Sequence, residues 1–153
     1  MNRAGTYIGT FRAVARKYPH KSGEILRDLI RTMPGEEGKW FAAAKEEGFH
    51  DVALAVARSS PCDPRTLTRA ARDLAAERPE FAIEAGVLAL EAVVQGYGHE
   101  VTSADVWLAY SSTIKAAQTR GNSAEFRNRI RQVIAMEAPG GFVTRILRRD
   151  LGL

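Results

Sequence analysis

The chain has 153 residues, of which 45% are hydrophobic and 26% are charged, and its formal net charge is +4. This composition is typical of a globular domain with one core and excludes an intrinsically disordered chain. It also excludes a membrane-spanning helix, which needs about 20 apolar residues, because Glu84 and Glu91 interrupt the longest strongly apolar run, residues 82–94.

The N-terminus lacks the apolar core and small-residue cleavage site of a secretory signal, so we expect a cytoplasmic protein. The single cysteine, Cys62, excludes an internal disulfide and fits a reducing compartment. Arginine outnumbers lysine 17 to 5, which together with abundant alanine is typical of a GC-rich bacterial genome.

The first half of the chain predicts four helices, because apolar residues recur at spacings of three and four between proline and glycine breaks. The first helix ends before Pro19, and Ser22 is the predicted N-cap of the second. The fourth helix carries small side chains on one side, which favours close packing in an antiparallel helix pair. The predicted helices are residues 6–17, 22–33, 36–47 and 51–58.

Five helices follow in the second half. Asp63 followed by Pro64 is a strong helix start, and Pro79 separates that helix from one that is apolar on most faces and therefore the most buried. The next helix presents Trp107 and Tyr110 toward the core, and Ser123 caps its successor. The predicted helices are residues 64–78, 80–95, 103–119, 123–134 and 142–151. No segment alternates as a strand does, so we predict an all-α fold.

The stretch QGYGHEVTSAD, residues 95–105, joins two of these helices. Gly96 or Gly98 suits a left-handed helix end, and Thr102 or Ser103 suits the N-cap of the next helix. We therefore interpret this stretch as a structural connector. If the chain carries a site on a loop, the candidates are Tyr97, His99 and Glu100.

No pattern of catalytic or metal-binding residues is complete. The three histidines have no ligand-type partner at zinc-site spacing, so no metal or cofactor is predicted. PGEEGKW fails as a phosphate-binding loop, because Met33 stands where the first glycine should be and Trp40 follows Lys39. The sequence therefore favours a noncatalytic protein.

The C-terminal segment is basic. Residues 111–153 hold eight Lys and Arg against three acidic residues, whereas residues 61–110 hold four against eight. A phosphate backbone or an acidic protein could bind this segment, although the alternative is a solubilising arginine-rich face. The candidate patch is Arg127, Arg131, Arg145, Arg148 and Arg149.

The last predicted helix is amphipathic and follows a Gly-Gly hinge. Its apolar face carries Phe142, Val143, Ile146 and Leu147. This face would dock either on its own domain or on a second copy of the chain, in which case the protein is a homodimer.

Three predicted helix pairs share a similar junction, with an alanine-bearing helix, a tight turn and a second helix. They read AAAKEEGFHDVALAVA, DLAAERPEFAIEAGVLA and AAQTRGNSAEFRNRIRQV. In this helix-pair architecture, residues 36–134 resemble tetratricopeptide-like and other α-solenoid repeats. The large-small pattern of one such unit is similar to that of Trp40, Ala44, Gly48 and Ala53. The chain departs from that family, because the intervals between aligned junction positions are 29 and 45 residues and the usual leucine-glycine pair is missing.

The resemblance implies an interaction scaffold and transfers no functional residue. We predict a single all-α domain over residues 1–153, or a piece of a longer helical-repeat protein. Its eight or nine helices form antiparallel pairs in a short right-handed α-solenoid or a helical bundle. The predicted function is a noncatalytic protein-interaction or scaffolding module with an unidentified protein partner. The alternative is binding of nucleic acid or another polyanion through the basic C-terminal helices.

Overall fold

A computed structural model of the chain describes residues 3–33, 37–97 and 100–153. Every regular element within these ranges is helical, so the predicted all-α class is confirmed. Two short 3-10 helices span Pro19–Lys21 and Glu37–Trp40. The α-helices are α1 (Arg3–Lys17), α2 (Ser22–Arg31), α3 (Phe41–Glu46), α4 (His50–Ser59), α5 (Pro64–Leu74), α6 (Pro79–Val94), α7 (Ser103–Arg120), α8 (Ser123–Ile134) and α9 (Phe142–Leu151).

The contacts of the chain divide it into two compact units. Unit 1 is Met1–Cys62 and unit 2 is Asp63–Leu153. Unit 1 contains α1 to α4, and unit 2 contains α5 to α9. Each unit has its own buried apolar side chains.

The core of unit 1 is built around two aromatic rings. Phe11 of α1 meets Trp40 edge to face, with ring centroids 5.9 Å apart, and both side chains are fully buried. The predicted helix over residues 36–47 begins as the 3-10 segment, in which the Gly38 amide donates to Ser60 Oγ at 2.5 Å. The amides at the start of a helical segment have no acceptor within it, and Ser60 supplies one for Gly38.

Helix α6 is the centre of unit 2 and packs against both α5 and α7. Most of its apolar residues up to Leu90 are buried, whereas Leu88, Val93 and Val94 are half-buried. Gly86 faces Thr113 of α7, and a Cβ at this glycine would overlap the Thr113 hydroxyl. The buried side chains of α6 are Phe81, Ala82, Ile83, Ala85, Val87, Ala89 and Leu90.

Helix α9 returns to the centre of unit 2 and contacts α6, α7 and α8. Val143, Leu147 and Leu151 point inward and are fully buried. The helix start is held by Glu137, whose carboxylate accepts from the amides of Val143 at 3.1 Å and Thr144 at 2.9 Å. The buried apolar face of α9 is therefore used within unit 2, and only its outer face is exposed.

The predicted helix starts were correct at two positions and wrong at two. The side chains of Asp63 and Thr102 cap α5 and α7. Ser22, by contrast, is the first residue of α2, and its hydroxyl donates to the Pro19 carbonyl at 2.8 Å. Ser123 is likewise inside α8, where Asn122 is the N-cap residue and makes no side-chain cap bond. The chain reaches α2 directly from a 3-10 turn, so the position suited to a side-chain cap falls on Lys21.

Neighbouring helices of unit 2 stack in chain order. Helix α5 contacts α6 and α7, and α6 contacts α7 and α8. This order is compatible with a helical-repeat architecture. The return of α9 to α6 is a bundle-like feature, because contacts in an ideal solenoid stay between neighbours.

Across the described ranges, none of the helices combines the length and the apolarity that crossing a membrane requires.

Candidate interaction surface on helices α7 and α9

Two of the five predicted patch arginines hold the C-terminal end of the chain. Arg131 Nε donates to the Leu151 carbonyl at 2.9 Å, and Arg148 Nε donates to the Leu153 carbonyl at 3.3 Å. Leu151 is the last residue of α9, and the carbonyls at a helix end have no partner within the helix and carry partial negative charge, so the Arg131 guanidinium is favourable there. These side chains are therefore engaged in the fold.

A third patch arginine belongs to a polar network between α7, α8 and α9. Tyr110 donates its hydroxyl to Asp150, and Arg127 Nε donates to the Tyr110 hydroxyl at 3.3 Å. Burial, followed by the hydrogen bond to Asp150, raises the pKa of Tyr110 above its ordinary value. The phenol is therefore protonated at neutral pH and remains a donor that orients the Asp150 carboxylate.

The remaining two arginines face outward. Arg145 and Arg149 are exposed, and neither side chain makes an ion pair or hydrogen bond with the part of the chain that the structure describes. They lie four residues apart on α9, so they share one helix face about 6 Å apart along its axis. The predicted patch is thus reduced to one pair of available cations.

A cleft of about 380 Å³ lies beside these cations, lined by Trp107, Ile146, Arg149 and Asp150. Trp107 of α7 is 45% exposed and stacks at a tilt on Tyr110, with ring centroids 5.5 Å apart. The cleft therefore combines a large apolar wall, one cation and one oriented carboxylate. We call Trp107, Arg145, Ile146, Arg149 and Asp150 the α7–α9 surface.

Trp107 was predicted to face the core, and this prediction was wrong. The buried side chains of α7 form a stripe that includes Val106, Tyr110 and Thr113. Trp107 lies at the edge of this stripe. Asp150 was not singled out either, because its partner Tyr110 is 40 residues away in sequence. The angular position of Trp107 on a helical wheel of α7 could have identified it as partly exposed. No local signal in the sequence identifies Asp150 as part of this surface.

The loop predicted as a connector begins with a well-formed helix end. Gly96 has φ +92°, a conformation that residues with a side chain rarely adopt. Its amide donates to the Val93 carbonyl at 3.0 Å, and the Tyr97 amide donates to the Ala92 carbonyl at 2.9 Å. This pair of bonds is a Schellman motif. Tyr97 itself is 45% exposed.

The other end of this loop is held by an arginine that the sequence analysis missed. Arg65 of α5 donates to the backbone carbonyl of Glu100 and pairs with the Glu100 carboxylate at 3.5 Å and with Asp105 at 3.4 Å. Asp105 in turn completes the capping box with Thr102. Glu100 is thus engaged in a structural contact, whereas His99 lies outside the described residues.

Unit 1 has a shallow groove of its own. It lies between α2 and α4, has a volume of about 360 Å³ and is mostly apolar. Arg31 at its rim pairs with Asp28 at 3.8 Å, and both side chains are largely exposed. The groove has no exposed aromatic residue among its lining residues, which are Arg27, Ile30, Arg31, Val52, Ala55, Val56 and Ser59.

Within the described ranges, no three His, Cys, Asp or Glu side chains lie close enough together to hold a metal ion. The α7–α9 surface likewise pairs no nucleophile with a general base. Its groups are suited to recognition, because each is a donor, an acceptor or an apolar wall.

Searches with protein-family models, against curated proteins and against solved structures found no match to this chain.

Proposed function

We propose that the chain is a noncatalytic protein-interaction module that binds a protein partner through the α7–α9 surface. The observation that carries this proposal is the half-exposed Trp107 beside Arg149, a cation without a partner in the described structure. Tryptophan and arginine are enriched among the residues that dominate binding energy at protein interfaces. The exposed part of the Trp107 side chain forgoes free energy that burial against a partner would provide.

The helical-repeat type is part of the same proposal. It is supported by the successive stacking of α5 to α8 and by the tight turns between α3 and α4, α5 and α6, and α7 and α8. Helical repeats present broad exposed helix faces, which suit binding of other proteins.

Binding of nucleic acid or another polyanion is the alternative. The observation that favours it is the pair Arg145 and Arg149, both available to phosphate oxygens. Two cations are few for this role, and the Asp150 carboxylate in the same cleft repels a phosphate backbone. We therefore favour the protein partner.

Site-specific photo-crosslinking tests the proposal. A benzophenone amino acid, which keeps a large aromatic side chain at the position, replaces Trp107 in the full chain, and a control chain carries it at Glu77, an exposed residue between α5 and α6. In a lysate of the source organism, we expect discrete protein adducts at position 107 that are absent at position 77. Arg149→Glu should remove them, because it reverses the charge at the cleft.

Identical adducts at positions 77 and 107, or none at position 107, would contradict the interaction proposal. Adducts to nucleic acid alone at position 107 would favour the polyanion alternative instead.

A further inference from the structure

The shallow groove of unit 1, which we call the α2–α4 groove, is mostly apolar. Helix α4 lines it with Val52, Ala55, Val56 and Ser59, and α2 contributes Ile30. The α4 residues are spaced by three and four, so they form one strip along the helix, about 10 Å long. Helix α2 packs mainly against α1, and α4 packs mainly against α3, which leaves the groove between α2 and α4 open.

One rim of the α2–α4 groove is basic. Arg27 and Arg31 of α2 line it, and they share one helix face because they are four residues apart. Arg31 pairs with Asp28 at 3.8 Å, whereas Arg27 makes no ion pair or hydrogen bond within the described ranges. Asp28 is largely exposed, and no carboxylate is among the lining residues that the structure describes. An anionic group is therefore attracted to this rim, chiefly by Arg27.

An extended peptide is poorly matched to this lining, because its backbone N–H groups need acceptors. The lining side chains that the structure describes offer apolar carbon, two guanidiniums that only donate, and one hydroxyl. That hydroxyl, of Ser59, already donates to the Val56 carbonyl at 3.2 Å. Covering the groove with free N–H groups would therefore cost free energy. An α-helix satisfies its backbone internally and can cover the groove with side chains alone.

Two other classes of ligand fit less well. A nucleic acid finds no aromatic side chain to stack on among the described lining residues, and its phosphates would lie against apolar carbon. A single alkyl chain would keep its outer side in water, because the groove is shallow. A helix instead buries a whole face between two others, with side chains spaced by three and four packing into the groove.

We propose that the α2–α4 groove binds an acidic amphipathic helix of a partner protein. The apolar face of that helix packs on Ile30, Val52 and Val56, and a carboxylate beside this face pairs with Arg27. The groove belongs to unit 1, so this proposal adds a second interaction surface and does not depend on the α7–α9 surface.

Calorimetry of the full chain at low salt tests the proposal with a synthetic, end-capped helical peptide. Its sequence is Ala-Gln-Ala-Leu-Glu-Ala-Leu-Leu-Glu-Ala-Leu-Glu-Ala-Gln-Leu-Glu-Ala-Gln, in which Leu forms one stripe and Glu lies beside it. The groove is shallow and an isolated peptide must be ordered on binding, so we expect a Kd on the order of 0.1 mM. The peptide with Gln at every Glu position should bind at least about threefold more weakly.

Variants of the groove locate the binding. Ala55 is exposed on α4, so Ala55→Glu can be accommodated in the fold while it places a carboxylate in the groove, and it should weaken binding about tenfold or more. Arg27→Glu should weaken binding about tenfold, and Arg31→Glu should weaken it less, because Asp28 already pairs with Arg31. Arg27→Glu should also bind the peptide with Lys at every Glu position more tightly than wild type does.

A matched control separates recognition from general charge attraction. Arg78→Glu makes the same charge change at an exposed position between α5 and α6, and should change Kd less than about twofold. Circular dichroism of each variant checks that the helices are intact. Equal losses for Arg78→Glu and Arg27→Glu, equal binding of the Glu and Gln peptides, or no gain for the Lys peptide would overturn the proposal. A loss caused by Arg149→Glu and not by Ala55→Glu would overturn it too, because the peptide would then lie on the α7–α9 surface.

A second copy of the chain is the other occupant to test. Sedimentation of the full chain alone should give the same oligomeric state for wild type and Ala55→Glu. If wild type is a dimer that Ala55→Glu dissociates, a second copy fills the α2–α4 groove and the proposed acidic partner helix is wrong.

Discussion

At the scale of single residues, Gly86 and Thr113 decide how closely α6 and α7 approach. Thr113 is completely buried, and its hydroxyl donates to the Ala109 carbonyl at 2.7 Å within α7. This hydroxyl occupies the space that a Cβ at position 86 would need. A glycine inside a helix costs up to about 1 kcal/mol of helix propensity, so the close contact compensates for a local preference.

We expect Gly86→Ala to destabilise unit 2 by about 1 to 2 kcal/mol, because overpacking outweighs the gain in helix propensity. Chemical denaturation measures this change. Thr113→Ala removes the obstructing hydroxyl, so the double variant Gly86→Ala, Thr113→Ala should be more stable than Gly86→Ala alone. If Gly86→Ala raises stability in the wild-type background, the close contact is not what requires glycine.

Tyr110 carries the second prediction at this scale. Its pKa is raised, first by burial and then by its hydrogen bond to Asp150, so its folded form retains the phenolic proton beyond the ordinary tyrosine range. The native state is therefore favoured below that range and loses this contribution as the pH rises through it. In an alkaline absorbance titration, Tyr110→Phe should remove a phenol that ionises above the ordinary tyrosine range. If the high-pH end of the titration curve is the same in wild type and Tyr110→Phe, the buried network is contradicted.

At the scale of elements, α9 depends on a residue outside itself. Glu137 accepts from two amides of the first turn and from the Thr144 hydroxyl at 2.8 Å. These amides have no partner within the helix. A negative carboxylate at the N-terminal end also interacts favourably with the positive end of the helix dipole.

We expect Glu137→Ala to destabilise unit 2 by about 1 to 2 kcal/mol and Glu137→Gln by less, because the amide side chain keeps one acceptor oxygen. Hydrogen exchange should show the loss of protection concentrated in α9, beginning at Val143 and Thr144. Glu77→Ala, an exposed site between α5 and α6, serves as the control. Equal effects of the substitutions at 77 and 137 would show that the cap contributes nothing specific.

The start of α7 gives a pH-dependent prediction. The pKa of Asp105 is lowered, chiefly by the hydrogen bond from the Thr102 amide, which donates to its carboxylate at 2.8 Å. A lowered pKa in the folded state gives stability that is present above the ordinary aspartate pKa and is lost as the pH falls through the folded value. Asp105→Asn should therefore cost about 1 kcal/mol at neutral pH and progressively less in acid.

Denaturation of wild type and Asp105→Asn across the acid range measures that difference. A constant difference at every pH would mean that the carboxylate charge plays no part in the cap.

At the scale of the whole molecule, the chain separates into two units at the segment that follows α4. Unit 2 contains its own buried helix α6, covered by α5, α7, α8 and α9. The sequence predicted one domain over residues 1–153, and the folding of the separate units tests that prediction.

We expect residues 63–153 to fold when expressed alone, because the core around α6 and the cap of α9 lie within this segment. Circular dichroism should show a helical spectrum, and urea should unfold the fragment in one cooperative transition. If the fragment is unfolded on its own while the full chain unfolds in one cooperative step, the single-domain prediction is supported.

The sequence by itself determined the all-helical class and the approximate place of each helix, because periodicity and helix-end signals act over a few residues. Residues 142–151 were predicted without error, and the caps at Asp63 and Thr102 follow from local chemistry. Ser22 and Ser123 were wrong because a preceding turn can move the cap position by one residue.

Only the tertiary structure decided which charged residues are available for binding. Arg131 and Arg148 looked like surface cations, but carbonyls at the C-terminal end bind them. The side chains of Arg145 and Arg149 are exposed. Arg149 lines a cleft together with Trp107 and Asp150, and no local sequence pattern predicts this cleft. The physical reason is that a helix face is defined locally, whereas its partners are set by contacts between residues far apart in sequence.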